Sequence, residues 1–141
     1  MSVVNDVAVN AESTDNFQVV CRINNIWDLG KFTTITVLRH TGTGYQILAQ
    51  MQNVDETATD TYRNPVLGSG VSGLTAVGEY AIANPRYSYV GVARQMSAMS
   101  CNDALTYRCE VVYTTPGPAF TVQTGVKNKT LFVQGSIYLY F

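Results

Sequence analysis

Apolar and polar positions alternate with a period of two along several stretches of this chain, the pattern of strands whose residues at i, i+2 and i+4 share one face. In residues 95–113 an apolar stripe and an acidic turn lead into Tyr107, Cys109, Val111 and Tyr113, spaced two apart. That face is expected to be buried. Residues 17–24 repeat the pattern, with Phe17, Val19, Cys21 and Ile23 alternating with Gln18, Val20, Arg22 and Asn24, so Cys21 belongs on the inner face of a second strand.

The same reading extends over the rest of the chain. Val3, Val4, Val7 and Val9 make a short edge strand, and a polar turn covers 10–16. Residues 32–39 form a strand that a Gly-bearing turn, Thr41-Gly42-Thr43-Gly44, joins to 45–51 as a hairpin, with Tyr45, Ile47, Ala49 and Met51 on one face. Residues 52–64 are polar and acidic, and 67–74 are rich in Gly and Ser. Two more strands are expected at 77–83 and 87–96, broken at Asn84-Pro85. After Tyr113, the rigid turn Thr114-Thr115-Pro116-Gly117-Pro118 opens a long connection, 114–129, before a last strand at 131–141. Tyr138 and Tyr140 of that strand, with Tyr113, form an aromatic stripe on one sheet.

Composition narrows the class. The 141 residues are 46% hydrophobic and 13% charged, which suits one globular domain spanning 1–141 with a sizeable core. With 9 basic against 10 acidic residues there is no basic footprint for nucleic acid and no charge run for a membrane surface. The apolar runs are far too short for a spanning helix, so membrane insertion by this domain is not expected. Residues 1–6 lack the basic and apolar regions of a secretory leader, leaving either a cytosolic chain or a mature domain with an added Met. The closing Tyr138-Leu139-Tyr140-Phe141 reads as a strand cut short.

The candidate chemistry is thin. Three cysteines, at 21, 101 and 109, allow three pairings and leave one thiol over. Without a C-x-x-C or Cys/His cluster, no metal site is expected. Residues 68–73 match G-x-G-x-x-G, but no helix follows to receive a phosphate, so a flexible loop is the better reading. Asp55, Glu56 and Asp60 lack the number and spacing of a calcium loop and read as a solvated turn. His40, the sole histidine, has no nucleophile partner and reads as a surface residue. No catalytic constellation, and hence no enzyme, and no cofactor are expected.

Asp103-Ala104-Leu105-Thr106-Tyr107-Arg108-Cys109 resembles the D-x-x-x-Y-x-C signature that leads into strand F of immunoglobulin domains, most like the variable type. The resemblance covers about fifteen positions and takes in Gln95, Met96 and Met99 at the end of strand E. It implies an all-β antiparallel sandwich with immunoglobulin-like Greek-key topology, a Cys21–Cys109 disulfide between the sheets, and a tyrosine corner built from Asp103 and Tyr107, with Arg63 or Arg86 as partner of Asp103. Cys101 is then left free, bonded to another chain, or half-buried as a small apolar residue. Two departures are plain. The cysteines stand 88 residues apart, so insertions are expected between them, and the Trp of strand C is missing, Ile35 or Val37 taking its place. The aliphatic substitution is similar to domains of invertebrate, especially molluscan, immune and adhesion proteins.

The resemblance further implies an extracellular recognition domain, secreted or part of a membrane protein's ectodomain, binding a protein or glycan ligand in defence or adhesion. Candidate loops are 24–31, 52–60 and 114–129, with Trp27, Asp28, Pro116 and Phe120 as contact residues. For Trp27 and Phe120 the alternative is a small satellite core. The Asn128-Lys129-Thr130 sequon makes Asn128 a glycosylation candidate. The competing reading is a structural domain that forms a homodimer through an edge strand or the outer sheet face.

Overall fold

The computed structural model describes residues 5–10, 16–23, 30–52, 64–81, 87–95, 105–118, 121–130, 132–134 and 138–140. Eleven strands run along them: β1 (Asn5–Asn10), β2 (Asn16–Ile23), β3 (Lys31–His40), β4 (Tyr45–Gln52), β5 (Val66–Leu67), β6 (Thr75–Glu79), β7 (Tyr89–Gln95), β8 (Thr106–Thr114), β9 (Val122–Thr130), β10 (Phe132–Gln134) and β11 (Tyr138–Tyr140). They build an antiparallel four-stranded sheet in the order β1-β2-β7-β6 and an antiparallel five-stranded sheet in the order β5-β4-β3-β8-β9. The connections between them give an immunoglobulin-like Greek-key topology. The fold is an all-β sandwich.

Alternation explains how the sheets meet. Along β8 the inward residues Tyr107, Cys109, Val111 and Tyr113 are buried, and the residues between them are half-buried. Val19, Cys21, Val90 and Val92 face them from the other sheet in a single core cluster. Cys21 and Cys109 are joined by a disulfide with their Cα atoms 5.1 Å apart. Val37 lies directly opposite Cys109 and Ile35 opposite Val111, both fully buried. Beside the pin between the sheets, Val37 and Ile35 therefore fill the core place expected for them in lieu of a Trp.

Central position dictates the character of β3. Its middle residues Ile35, Thr36, Val37 and Leu38 are all buried, as in a strand flanked on both sides by others. Thr36 meets its polar requirement by accepting a hydrogen bond from Gln50 Nε2 at 2.9 Å. Ser88, fully buried, likewise accepts one from the Ala81 N–H at 2.9 Å.

Two expectations are corrected at the C-terminal end. Residues 122–130, expected within a long loop, form β9, paired with β8 from Thr114↔Val122 to Thr106↔Thr130. The connection between β8 and β9 is a short turn. Only Gly125 of β9 is buried, since an edge strand needs no continuous apolar stripe. Lys127 and Lys129 fall opposite Cys109 and Tyr107. The expected last strand, 131–141, contributes β10 and β11 to a separate two-stranded sheet, so Tyr138 and Tyr140 do not share a sheet with the core residue Tyr113.

The inter-sheet bridge joins cysteines 88 positions apart in the sequence. Replacing both Cys21 and Cys109 with Ala is expected to lower the unfolding free energy by about 4 kcal/mol, measured by denaturant unfolding. Close approach makes a second test. A Cβ at Gly91 would collide with the Val19 carbonyl oxygen where β7 pairs with β2. Gly91→Ala is expected to cost about 1–3 kcal/mol in the same assay.

Candidate functional site

Two surfaces carry the candidate residues. One is the end of the sandwich where β2, β4 and β8 finish and β3 and β9 begin. There Lys31 pairs with Thr114, and the Gly30 N–H donates to the Thr114 carbonyl at 2.7 Å. Glycine is required at position 30, because a Cβ would lie 2.8 Å from that same oxygen. The start of β3 is thus tied to the turn after β8. That turn is closed by two bonds, Thr115 N–H to the Thr121 carbonyl at 2.9 Å and Thr121 N–H to Thr115 Oγ1 at 3.0 Å. Its tip carries exposed Pro116 and Gly117, the latter at a φ of 93°.

The sequence candidates divide accordingly. Pro116 stands at this loop end. Trp27, Asp28 and Phe120, with most of the 24–31 and 52–60 loops, lie outside the described residues, as do Asp103, Arg63, Arg86, Cys101 and the acidic residues Asp55, Glu56 and Asp60. Tyr107 is 3% exposed at the start of β8, the half of the expected tyrosine corner that falls within the description. Asn128 is exposed on β9, a strand position in place of the expected loop.

The second surface is the outer face of the five-stranded sheet. Register lays it out in rows: Val66, Gln50, Thr36, Glu110 and Val126 along one, Ile47, Leu38, Arg108 and Asn128 along the next. Exposed apolar side chains sit toward its two edges, Ile47 and Val66 on one side and Val122 and Val126 on the other. Between them Arg108 is held from three directions. Its guanidinium lies 3.7 Å from the centre of the Tyr45 ring, its Nε donates to Asn128 Oδ1 at 2.9 Å, and it stands 3.6 Å from the Glu110 carboxylate. The Tyr45 ring in turn meets His40 edge-on at 5.1 Å. His40 Nδ1 accepts the Gly42 N–H at 3.1 Å, so this histidine closes the hairpin turn.

Ile47 reaches the outer face through a bulge. Val37 pairs with Ala49 but the next residue, Leu38, pairs with Ile47, so Leu48 is an extra residue on β4. Tyr45 and Ile47 consequently face outward while Ala49 and Met51 face inward, which corrects the expectation of one shared face. Leu48 is fully buried. Beside Ile47, a half-open recess of about 400 Å³ is lined by Gln50, Gln52, Val66, Leu67 and Gly68. The Gly-rich stretch that follows holds no phosphate cradle: the Gly68 N–H is already donated to the Leu48 carbonyl at 2.8 Å, and β6 rather than a helix comes next.

Among the described residues, no group of three or more His, Cys, Asp or Glu is placed to hold a metal ion, and no helix is long and apolar enough to cross a membrane. The disulfide is compatible with an extracellular location.

The bulge makes adjacent residues respond in opposite ways to one substitution. Ile47→Lys is expected to change stability by less than about 0.5 kcal/mol, and Leu48→Lys to cost more than about 4 kcal/mol or abolish folding, as followed by thermal unfolding. Unbroken alternation through β4 would give the reverse order. No protein-family model and no curated protein matches this chain.

Proposed function

We propose that this chain is a variable-type immunoglobulin-like recognition domain that works outside the cell and binds a protein or glycan ligand by contact burial. The observation that carries this reading is the strand order, β1-β2-β7-β6 against β5-β4-β3-β8-β9, bridged between β2 and β8 by Cys21–Cys109. Strand order and bridge agree with the D-x-x-x-Y-x-C resemblance, and the bridge requires an oxidising environment to persist. Fold alone does not fix function. The contact surface is the loop end, where the tied start of β3 and the closed 115–121 turn hold Pro116 out to solvent. Trp27 and Phe120 are the aromatic anchors of that surface and Asp28 its polar contact. Family placement among molluscan-like immune or adhesion proteins belongs to the same proposal.

A second reading is favoured by the four exposed apolar residues of the outer sheet face, Ile47, Val66, Val122 and Val126. A surface of that kind suits pairing with a second copy of the chain. The two readings separate cleanly in solution. Displayed multivalently against a mixed panel of glycans and extracellular proteins, the domain is expected to bind a subset of them. Trp27→Ala and Phe120→Ala should each weaken that binding about tenfold or more without lowering the melting temperature. Ile47→Lys with Val126→Lys should leave it unchanged. A wild-type domain that binds nothing, yet has a concentration-dependent mass lost in the Ile47→Lys, Val126→Lys variant, would replace recognition with self-assembly.

A further inference from the structure

Asn128-Lys129-Thr130 is the one N-x-[ST] sequon in the chain. Its surroundings bear on whether it is used. Asn128 lies on β9, at the edge of the five-stranded sheet, with its side chain on the outer face beside that of Arg108. Arg108 Nε is a donor only, so the amide atom it meets at 2.9 Å is the oxygen, Oδ1. The amide is therefore fixed by its oxygen, and Nδ2, the atom that glycosylation modifies, takes no part in that bond. The sequon hydroxyl, Thr130 Oγ1, is also at the surface, 2.8 Å from Thr106 Oγ1. Two residues before Asn128, on the same face, is Val126, which is half exposed, and one strand inward lie Arg108 and Glu110.

We infer that Asn128 carries an N-linked glycan that lies over the β8–β9 half of the outer sheet face and leaves the loop end as the open surface for recognition. The inference rests on the extracellular reading above and deepens it, because it decides between the two surfaces. In the transfer, Nδ2 attacks the anomeric carbon of a lipid-diphosphate-linked oligosaccharide. A C–N bond forms, the anomeric C–O bond breaks, the lipid diphosphate leaves with the bonding electron pair, and one Nδ2 proton is lost to a base. Oδ1 is untouched and continues to accept from Arg108. The glycan is bulky and solubilising. With strands about 4.8 Å apart, its first sugars stand within two strand spacings of β3, close enough to cover Val126 and crowd a second sheet face out.

The test uses the chain secreted from an animal cell line behind a cleavable leader, alongside the chain isolated from its natural source. Intact mass of the non-reduced secreted protein is expected to show a glycan that peptide-N-glycosidase removes, converting Asn128 to Asp. Thr130→Ala, which destroys the sequon but keeps Asn128 and its bond to Arg108, should lose the mass shift completely, and Thr130→Ser should restore it. The aglycosylated Thr130→Ala protein should sediment as a larger species than wild type at equal concentration, with loop-end binding unchanged. A bridged, secreted chain with bare Asn128 would overturn this inference and leave the recognition reading standing. A glycosylated chain whose sedimentation matches that of Thr130→Ala would overturn the shielding of the face. A natural chain with free Cys21 and Cys109 thiols and no glycan would overturn the extracellular reading together with this one.

Discussion

Everything in this fold depends on two pleated sheets hiding one face each against the other. An isolated sheet of four or five strands leaves its apolar side in water, and burial of that side at about 25 cal/mol per Å2 is the main force that holds the pair together. The disulfide adds a covalent constraint through the middle of that interface, tying the second strand of one sheet to the fourth strand of the other. Its placement matters as much as its presence. Cys109 is flanked along β8 by Tyr107 and Val111, faced in the sheet by Val37, and joined to Cys21 beside Val90, so the bridge stands among fully buried aliphatic and aromatic groups.

The outer face of the larger sheet follows a different logic. Its centre, at Thr36 and Leu38, is closed to solvent. Gln50 satisfies Thr36, and Arg108, stacked on Tyr45 and bonded to Asn128, lies across the row that contains Leu38. Polar groups at the centre fasten four strands to one another, and apolar groups are left at the periphery.

Much of this was legible in the sequence, and the parts that were not have identifiable causes. β2, β3 and β8 are core strands whose apolar stripe is written directly in the residues, and the resemblance around Tyr107 implies the Cys21–Cys109 pairing. β4 is legible as a strand but not in its orientation, because Tyr45, Ile47, Ala49 and Met51 alternate without a flaw while the bulge that splits them is a property of pairing with β3 and leaves no mark on β4 alone. β9 reads as loop in the sequence because a strand at a sheet edge, with one buried residue, has no stripe to read. Pro116 and Gly117 correctly marked the turn but not its length. The outer-face cluster is less legible than the fold: Tyr45, Arg108 and Asn128 come from three separate strands and carry no motif, and only the register of the sheet brings them together.

β9 has a further consequence. Lys127 and Lys129 project on the same side of the sheet as Cys109 and Tyr107, so a strand at the open margin presents ammonium groups where a new neighbour would have to lay down an apolar core row. Inward-pointing charge of this kind discourages edge-to-edge growth. A sheet that ended in valines on that side would be a template for runaway strand addition. With two lysines in that row instead, β9 is a strand built to end its sheet rather than to extend it.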